Sequence, residues 1–226
     1  MVNRRLQHFL ESKDFYDRNQ SGFRNSHSTL DGLIRYHHSA QTAINKSQFC
    51  VAVFLDISKA FDTVWHHGLL LTLQKLGLRG YLAKFIKEFL NNRKVTVKIG
   101  NNLSEKYPIK SGVPQGSVLS PTLFTVLINS LFENINSPVE TSLFADDGAL
   151  WIVSDELDEA LSTIQDALDE IADWSHSWGL QMSPSKTYAM ITTLRKTRTP
   201  STLHIDNIPI TMSPQQSSLE SHLTKG

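Results

Sequence analysis

The chain is short of several things, and each shortage excludes something. It has one cysteine, Cys50, set in an apolar run, which excludes an internal disulfide framework and any cysteine-rich zinc module. No stretch reaches the roughly 20 apolar residues of a bilayer span. The start, Met1-Val2-Asn3-Arg4-Arg5, lacks a signal-like apolar core, so no membrane partner is expected. Net charge is zero, with 22 Lys and Arg against 22 Asp and Glu, so global charge points to no polyanion. No Lys or Arg lies between Lys110 and Lys186, whereas acids gather from Asp146 to Asp173. The cations lie in the first half and in Arg195-Lys196-Thr197-Arg198. The two ends of the chain would grip a polyanion around an acidic centre, or these clusters are simply solvated faces. What remains is ordinary: 226 residues, 40% hydrophobic and 19% charged, suit one substantial core with at most a small lobe.

Periodicity outlines the elements. Leu6, Phe9 and Leu10 are the apolar contacts of a polar lead-in. Ser28 is placed to cap a helix through Ile44, with Leu30, Leu33, Ile34 and His37 on its apolar face. Phe49 to Leu55 is an almost unbroken apolar run, the mark of a strand buried on both faces. Helices over 68–76 and 81–91 follow. Val95, Val97 and Ile99 then alternate, Asn101-Asn102 offers a turn, and Tyr107 to Ile109 returns as a hairpin arm. The glycine-flanked loop Ser111-Gly112-Val113-Pro114-Gln115-Gly116-Ser117 leads into an apolar helix over about 121–132. Leu157, Leu161, Ile164, Leu168 and Ile171 form one stripe of a long helix that Gly179 ends. Short strands follow at 188–194 and 203–210, the second split around Asp206-Asn207, and a polar tail begins at Ser213. This order reads as α+β, an antiparallel sheet backed by helices.

The chemistry centres on Ser142 to Val153. Asp146 and Asp147 lie between two strand-like runs, at the expected bend of a β-hairpin. Adjacent buried carboxylates repel and raise each other's pKa, which a divalent cation such as Mg²⁺ relieves. A solvated acidic turn is the plain alternative. Asp56 ends the buried strand, where a carboxylate is costly unless paired or metal-bound, or else it caps the next segment. His37 and His38 point to different helix faces and make no ligand pair. Asp62, His66 and His67 suit a metal site near the acids, or else Asp62 to His66 cap and pack the following turn.

Five blocks together resemble the reverse transcriptase domain of non-LTR (LINE-type, jockey-like) retrotransposons, over Gln20 to Ile210. They are Gln20-Ser21-Gly22-Phe23-Arg24 with Ser28-Thr29-Leu30-Asp31; Asp56-Ile57-Ser58-Lys59-Ala60-Phe61-Asp62; Gly112-Val113-Pro114-Gln115-Gly116-Ser117; Phe144-Ala145-Asp146-Asp147; and Trp178-Gly179-Leu180 leading to Lys186-Thr187. The resemblance implies a polymerase palm, divided as a partial fingers region over 1–48, a palm over 49–212 with a finger-like insertion at about 68–110, and a flexible tail over 213–226. It implies RNA-directed DNA polymerase activity on an RNA template and DNA primer, adding deoxynucleoside triphosphates (dNTPs) to a 3′-hydroxyl. Two Mg²⁺ ions, or Mn²⁺, are implied about 3.5–4 Å apart. Asp56 and Asp146 would bridge them, with Asp147 the third acid and the Ile57 backbone a further ligand. The backbone of Ile57, Ser58, Lys59 and Ala60 would wrap the triphosphate. Phe61 would exclude a 2′-hydroxyl, or merely pack in the core. Gln115 would contact the nucleotide, with Gly112 and Gly116 permitting close backbone approach. Lys186 would protonate or neutralise the departing pyrophosphate. Arg24 would belong to the fingers surface that holds template or triphosphate.

The chain also departs from the family pattern. An upstream Arg-Pro-containing strand is absent, Ser183 stands where Asn is usual, and a leucine-glycine strand and thumb do not follow Ile210. No endonuclease domain or zinc knuckle is seen. The expectation is therefore an intracellular fingers fragment plus palm, the thumb and endonuclease belonging to a longer parent. The alternatives are a catalytically silent remnant that binds RNA or a protein partner, and a palm polymerase of group II intron type.

Overall fold

A computed structural model describes residues 1–24, 26–196 and 200–213. In chain order the first elements are α1 (Val2–Ser12), α2 (Thr29–Asn45), β1 (Phe49–Leu55), α3 (Ala60–Thr63), α4 (His66–Lys75) and α5 (Gly80–Leu90). Next come β2 (Lys94–Val95), β3 (Lys98–Ile99), β4 (Asn102–Leu103), β5 (Tyr107–Pro108), α6 (Ser120–Ile128), β6 (Glu140–Phe144) and β7 (Asp147–Ser154). The last are α7 (Leu157–Trp178), β8 (Tyr188–Thr192), β9 (His204–Ile205), β10 (Ile208–Pro209) and β11 (Thr211–Met212). Two compact units result, one of Met1–Tyr16 with Lys59–Ile128, the other of Asp17–Ser58 with Asn129–Gly226. Most of the tail over 213–226 lies outside the described residues, as do Thr197 and Arg198 of the terminal basic cluster.

The second unit carries a five-stranded sheet in the order β11-β8-β1-β7-β6. Its pairs are antiparallel except β11, which runs parallel to β8 at the edge. The apolar run of β1 earns its central place: Cys50, Val51, Ala52 and Val53 are wholly buried. Side chains alternate across a strand, so Cys50 and Ala52 share one face. There they pack with Trp151 and Met190 beneath Tyr36, Ala40 and Ala43 of α2. Helix α7 lies on β1 and β7 with Leu161, Ile164, Leu168 and Ile171 buried. It ends at Gly179 in the left-handed conformation, as the sequence predicts.

Helix α2 has the expected span and the Ser28 cap, completed by an Asp31 capping box. Its buried face is the reverse of the expected one. Leu30, Leu33 and Ile34 are more than half exposed, and Gly32, Tyr36, Ser39, Ala40 and Ala43 face inward. The cause is close approach: a Cβ on Gly32 would overlap the Ser142 hydroxyl of β6, so small residues win this face.

In the first unit, α6 is buried almost all round and serves as the central helix. It stops at Ile128, short of the expected Phe132, where turns take over. Leu6 and Leu10 of α1, Leu69 and Leu73 of α4, and Ile86 and Leu90 of α5 are also buried. The strands β2 to β5 form an exposed two-stranded ribbon. Among the described residues no helix is long and apolar enough to cross a membrane.

Candidate active site

The acids lie in the sheet unit, where strand register gathers them. Strand β1 pairs with β7 up to Leu55 opposite Gly148, and with β8 from Phe54 opposite Tyr188. Continued past Leu55, the two registers flank Asp56 with Asp147 on one side and Lys186 on the other. A backbone clasp fixes this end of β1. The Asp56 N–H donates to Thr187 Oγ1 at 3.2 Å, and the Ser183 N–H donates to the Asp56 carbonyl at 2.8 Å. The Ser183 carbonyl in turn accepts from the N–H groups of Lys186 and Thr187 at 3.1 and 2.9 Å. Lys186 Nζ then stands 3.7 Å from Asp56 Oδ1.

The bend of the Asp-Asp hairpin falls one residue earlier than expected. Ala145 and Asp146 form the two-residue turn, while Asp147 opens β7 opposite Phe144. Ala145 has φ +59°, the left-handed region that favours glycine. The Gln20–Gly22 segment explains its tolerance. The Ser21 N–H donates to the Leu143 carbonyl at 2.8 Å, and the Leu143 N–H donates to Asn19 at 3.0 Å, so this segment runs along the edge of β6. Gly22 thereby lies directly on the Ala145 backbone. Arg24 Nη1 donates to the carbonyls of Asp17 and Gln20 at 3.3 and 3.2 Å, which ties the same segment together.

Electrostatics mark this corner as short of positive charge. The Asp147 carboxyl is held above its ordinary pKa by burial first, then by the charges of Asp146 and Asp56. Asp56 Oδ1 is buried and accepts no hydrogen bond. A hard divalent cation fits such a donor set, with Asp56, Asp146 and Asp147 as the oxygen ligands. Among the described residues no group of three or more His, Cys, Asp or Glu has the spacing of a preassembled metal site.

Phe61, Gln115 and Gly116 lie in the other unit. Phe61 is half-buried and stacks on the buried Phe124, centroids 4.7 Å apart at 19°. Gln115 Nε2 donates to Asp62 Oδ1 at 3.3 Å. The loop around it is pinned: the Gly112 carbonyl meets His66 Nε2 at 2.7 Å and accepts from Arg93 at 3.0 Å, while Ser120 Oγ donates to the Pro114 carbonyl at 2.7 Å. Gly112 has φ +81°, and a Cβ there would come within 2.6 Å of the Asp62 carbonyl oxygen. His66 is thus a loop anchor, as the packing reading expects.

Residues 1–218 match the family model described as reverse transcriptase (RNA-dependent DNA polymerase). The chain belongs to this family. It is 34% identical over 212 residues to the "Probable RNA-directed DNA polymerase from transposon BS" of Drosophila melanogaster, covering 91% of this chain and 23% of the relative. With the RNA-directed DNA polymerase from mobile element jockey of the same species it shares 35% over 173 residues, 74% of this chain and 19% of the relative. The chain thus spans about a quarter or less of these curated relatives. Among solved structures, telomerase from Candida tropicalis in complex with a fragment of telomeric RNA aligns with a TM-score of 0.64 at 14% identity. That alignment covers 84% of this chain and 33% of the telomerase chain, and shows the fold alone.

In this reverse transcriptase domain, Asp56, Asp147 and Lys186 come together with Asp146 on the adjoining turn. The expected backbone cradle is interrupted, because the Ser58 N–H donates to the Gln181 carbonyl at 2.9 Å through a bridge between Ile57 and Met182. The Ser58 N–H is therefore engaged rather than open to a phosphate. Three residues have roles that the sequence reading did not assign. Gly22 underlies the turn that carries Asp146, Thr187 holds the Asp56 backbone, and Tyr188 stacks on Phe54 at 4.9 Å. Burial, then the charge of Asp147, raises the Tyr188 pKa. The one available signal for Tyr188 was its place directly after Lys186-Thr187 in a strand.

Proposed function

We propose that this domain catalyses RNA-directed DNA synthesis as part of a longer protein, transferring a deoxynucleotide from its triphosphate to a primer 3′-hydroxyl. The observation that carries this reading is the unneutralised corner at the end of β1. There a buried Asp56 oxygen that accepts no hydrogen bond and an Asp147 whose pKa is raised by burial and by Asp146 and Asp56 lie beside a Lys186 held by the 183–187 turn. Divalent cations bound by Asp56, Asp146 and Asp147 would supply charge stabilisation to the attacking hydroxyl and the leaving phosphate. The chain's own part is to fix the carboxylates on a rigid sheet and to hold Lys186 where it can give a proton or a charge to pyrophosphate. The exposed side of Phe61 would exclude a 2′-hydroxyl, and Gln115, released from Asp62, would meet the nucleotide.

Extension of a primed homopolymer RNA with Mg²⁺ or Mn²⁺ at low salt tests the proposal, with the double variant Asp146→Ala, Asp147→Ala beside the parent. Metal-dependent extension that the variant loses while remaining folded is the expected result. Equal extension by both proteins sinks the assignment. A second reading, a silent remnant that binds RNA or a protein, is favoured by the absence of a preassembled metal set among the described residues. RNA binding by folded parent protein that incorporates no nucleotide would select it.

A further inference from the structure

The zero net charge hides a division. The unit of Met1–Tyr16 and Lys59–Ile128 carries thirteen Lys and Arg against five Asp and Glu, a net +8, and the sheet unit carries nine against seventeen, a net −8. Within the positive unit, residues 93–110 hold Arg93, Lys94, Lys98, Lys106 and Lys110 with Glu105 as their one acid. Every residue from Lys94 to Pro108 is exposed. The cations therefore belong to a ribbon with solvent on both sides.

Register sorts the ribbon into two faces. Val95 pairs with Tyr107, Lys94 with Pro108, Lys98 with Leu103 and Ile99 with Asn102. The period of two then groups Val95, Val97, Ile99 and Tyr107 with Asn102 on one face, and Lys94 and Lys98 with their partners Pro108 and Leu103 on the other. The apolar face is 44–76% exposed residue by residue. An isolated two-stranded ribbon is marginal in water, and a continuous apolar face left in solvent marks a contact surface.

We propose that the ribbon of residues 94–108 binds single-stranded RNA, the unpaired part of a template. This rests on the polymerase reading above. The charge complements a polyanion and opposes an acid-poor, apolar protein partner. Tyr107, flanked by the aliphatic side chains of its face, offers a stacking platform that unpaired bases can use and the already stacked bases of a duplex cannot. The long stems of Lys94 and Lys98 let their charges reach the ribbon's rim and the phosphates there.

The test is equilibrium binding of an unstructured RNA oligomer and of an RNA duplex of equal length to the full chain, over a range of salt. Three proteins are compared: parent, Lys94→Ser with Lys98→Ser, and Tyr107→Leu, which keeps an apolar side chain but removes the ring. The lysine variant should bind the single strand about tenfold or more weakly, and its salt slope should fall by about 1.4, roughly 0.7 for each lost phosphate contact. Tyr107→Leu should lose about fivefold or more on the single strand and little on the duplex. An unchanged salt slope overturns the proposal, as does equal loss on both RNAs. Unchanged RNA binding with altered self-association overturns it in favour of a protein contact. Primer extension by the same proteins separates the two readings. Unaffected RNA binding by the ribbon variants with Asp146- and Asp147-dependent extension intact removes only the ribbon. The expected binding losses without any extension by the parent remove only the polymerase.

Discussion

Gly22 lies against the backbone of Ala145: a Cβ at position 22 would overlap the Ala145 nitrogen and fall 2.9 Å from both the Ala145 Cα and the Phe144 carbonyl carbon. A residue 123 positions away in sequence thus sets the turn that carries Asp146. The Gln20-Ser21-Gly22 block, which the sequence offers only as part of a family pattern, is in the structure the brace of the Asp146–Asp147 hairpin.

Gly22→Ala should therefore damage both stability and activity. Overpacking against backbone that cannot move aside costs about 2–3 kcal/mol, and at this size each kcal/mol lowers Tm by about 2–4 °C. A fall of about 5–10 °C in a thermal melt is expected, together with loss of primer extension in the variant at a temperature where it stays folded. Parent-like melting and extension would show that the segment does not brace the turn.

This brace also shows why the bend was misplaced by a residue. Nothing local marks Ala145 for the left-handed region, since alanine has no side chain to reward it, and the packing partner is Gly22. The reversed face of α2 has a similar cause. Leu30, Leu33 and Ile34 look like a core stripe, yet the sheet lies too near for them, and Gly32, Ser39, Ala40 and Ala43 fit instead. By contrast β1, the cap at Ser28 and the stop at Gly179 were legible, because their signals are local: an unbroken apolar run, a capping hydroxyl and a left-handed glycine. The acids themselves were legible by residue type, while the 183–187 clasp that presents Lys186 depends on hydrogen bonds to Asp56 that no spacing encodes.

Asp147 carries a pH signature. Its carboxyl pKa is raised in the folded chain above the ordinary 3.8, so its favourable contribution is complete below pH 3.8 and is lost as pH rises through the folded value. Asp147→Asn removes that loss. The variant should be more stable than the parent at neutral pH without divalent cations, by at most ~1 kcal/mol because Asp147 is only partly buried and solvent screens much of its charge. The gain should vanish in acid and shrink when Mg²⁺ is added to the parent. Denaturant melts across this pH range, with and without Mg²⁺, provide the check. A variant no more stable than the parent at neutral pH would mean the three carboxylates do not strain one another.

Phe61 stacks on Phe124 and remains half-exposed, so its packing can be separated from the proposed steric selection of the sugar. Phe61→Val should cost about 1 kcal/mol of stability from the lost ring contact. It should also raise ribonucleotide incorporation relative to deoxynucleotide by about tenfold or more, as a hydrophobic barrier is removed. Competition between the two nucleotides in primer extension measures the second effect. A stability loss with unchanged discrimination would leave Phe61 a packing residue alone.

Lys186 offers the sharpest separation of chemistry from folding. Its side chain is 70% exposed, and its pairing with Asp56 at 3.7 Å is long for an ion pair. Such a contact contributes little to stability, so Lys186→Gln should melt within about 0.5 kcal/mol of the parent. General-acid help to a leaving group is worth about 10²–10⁴ in rate, and a loss in that range should appear in single-turnover incorporation with nucleotide affinity much less changed. The backbone clasp does not pass through the amine, because Ser183 and Thr187 hold Asp56 by main-chain and hydroxyl bonds. A glutamine variant that extends at the parental rate would therefore show that the turn positions Asp56, and that the amine it carries takes no part in the chemistry.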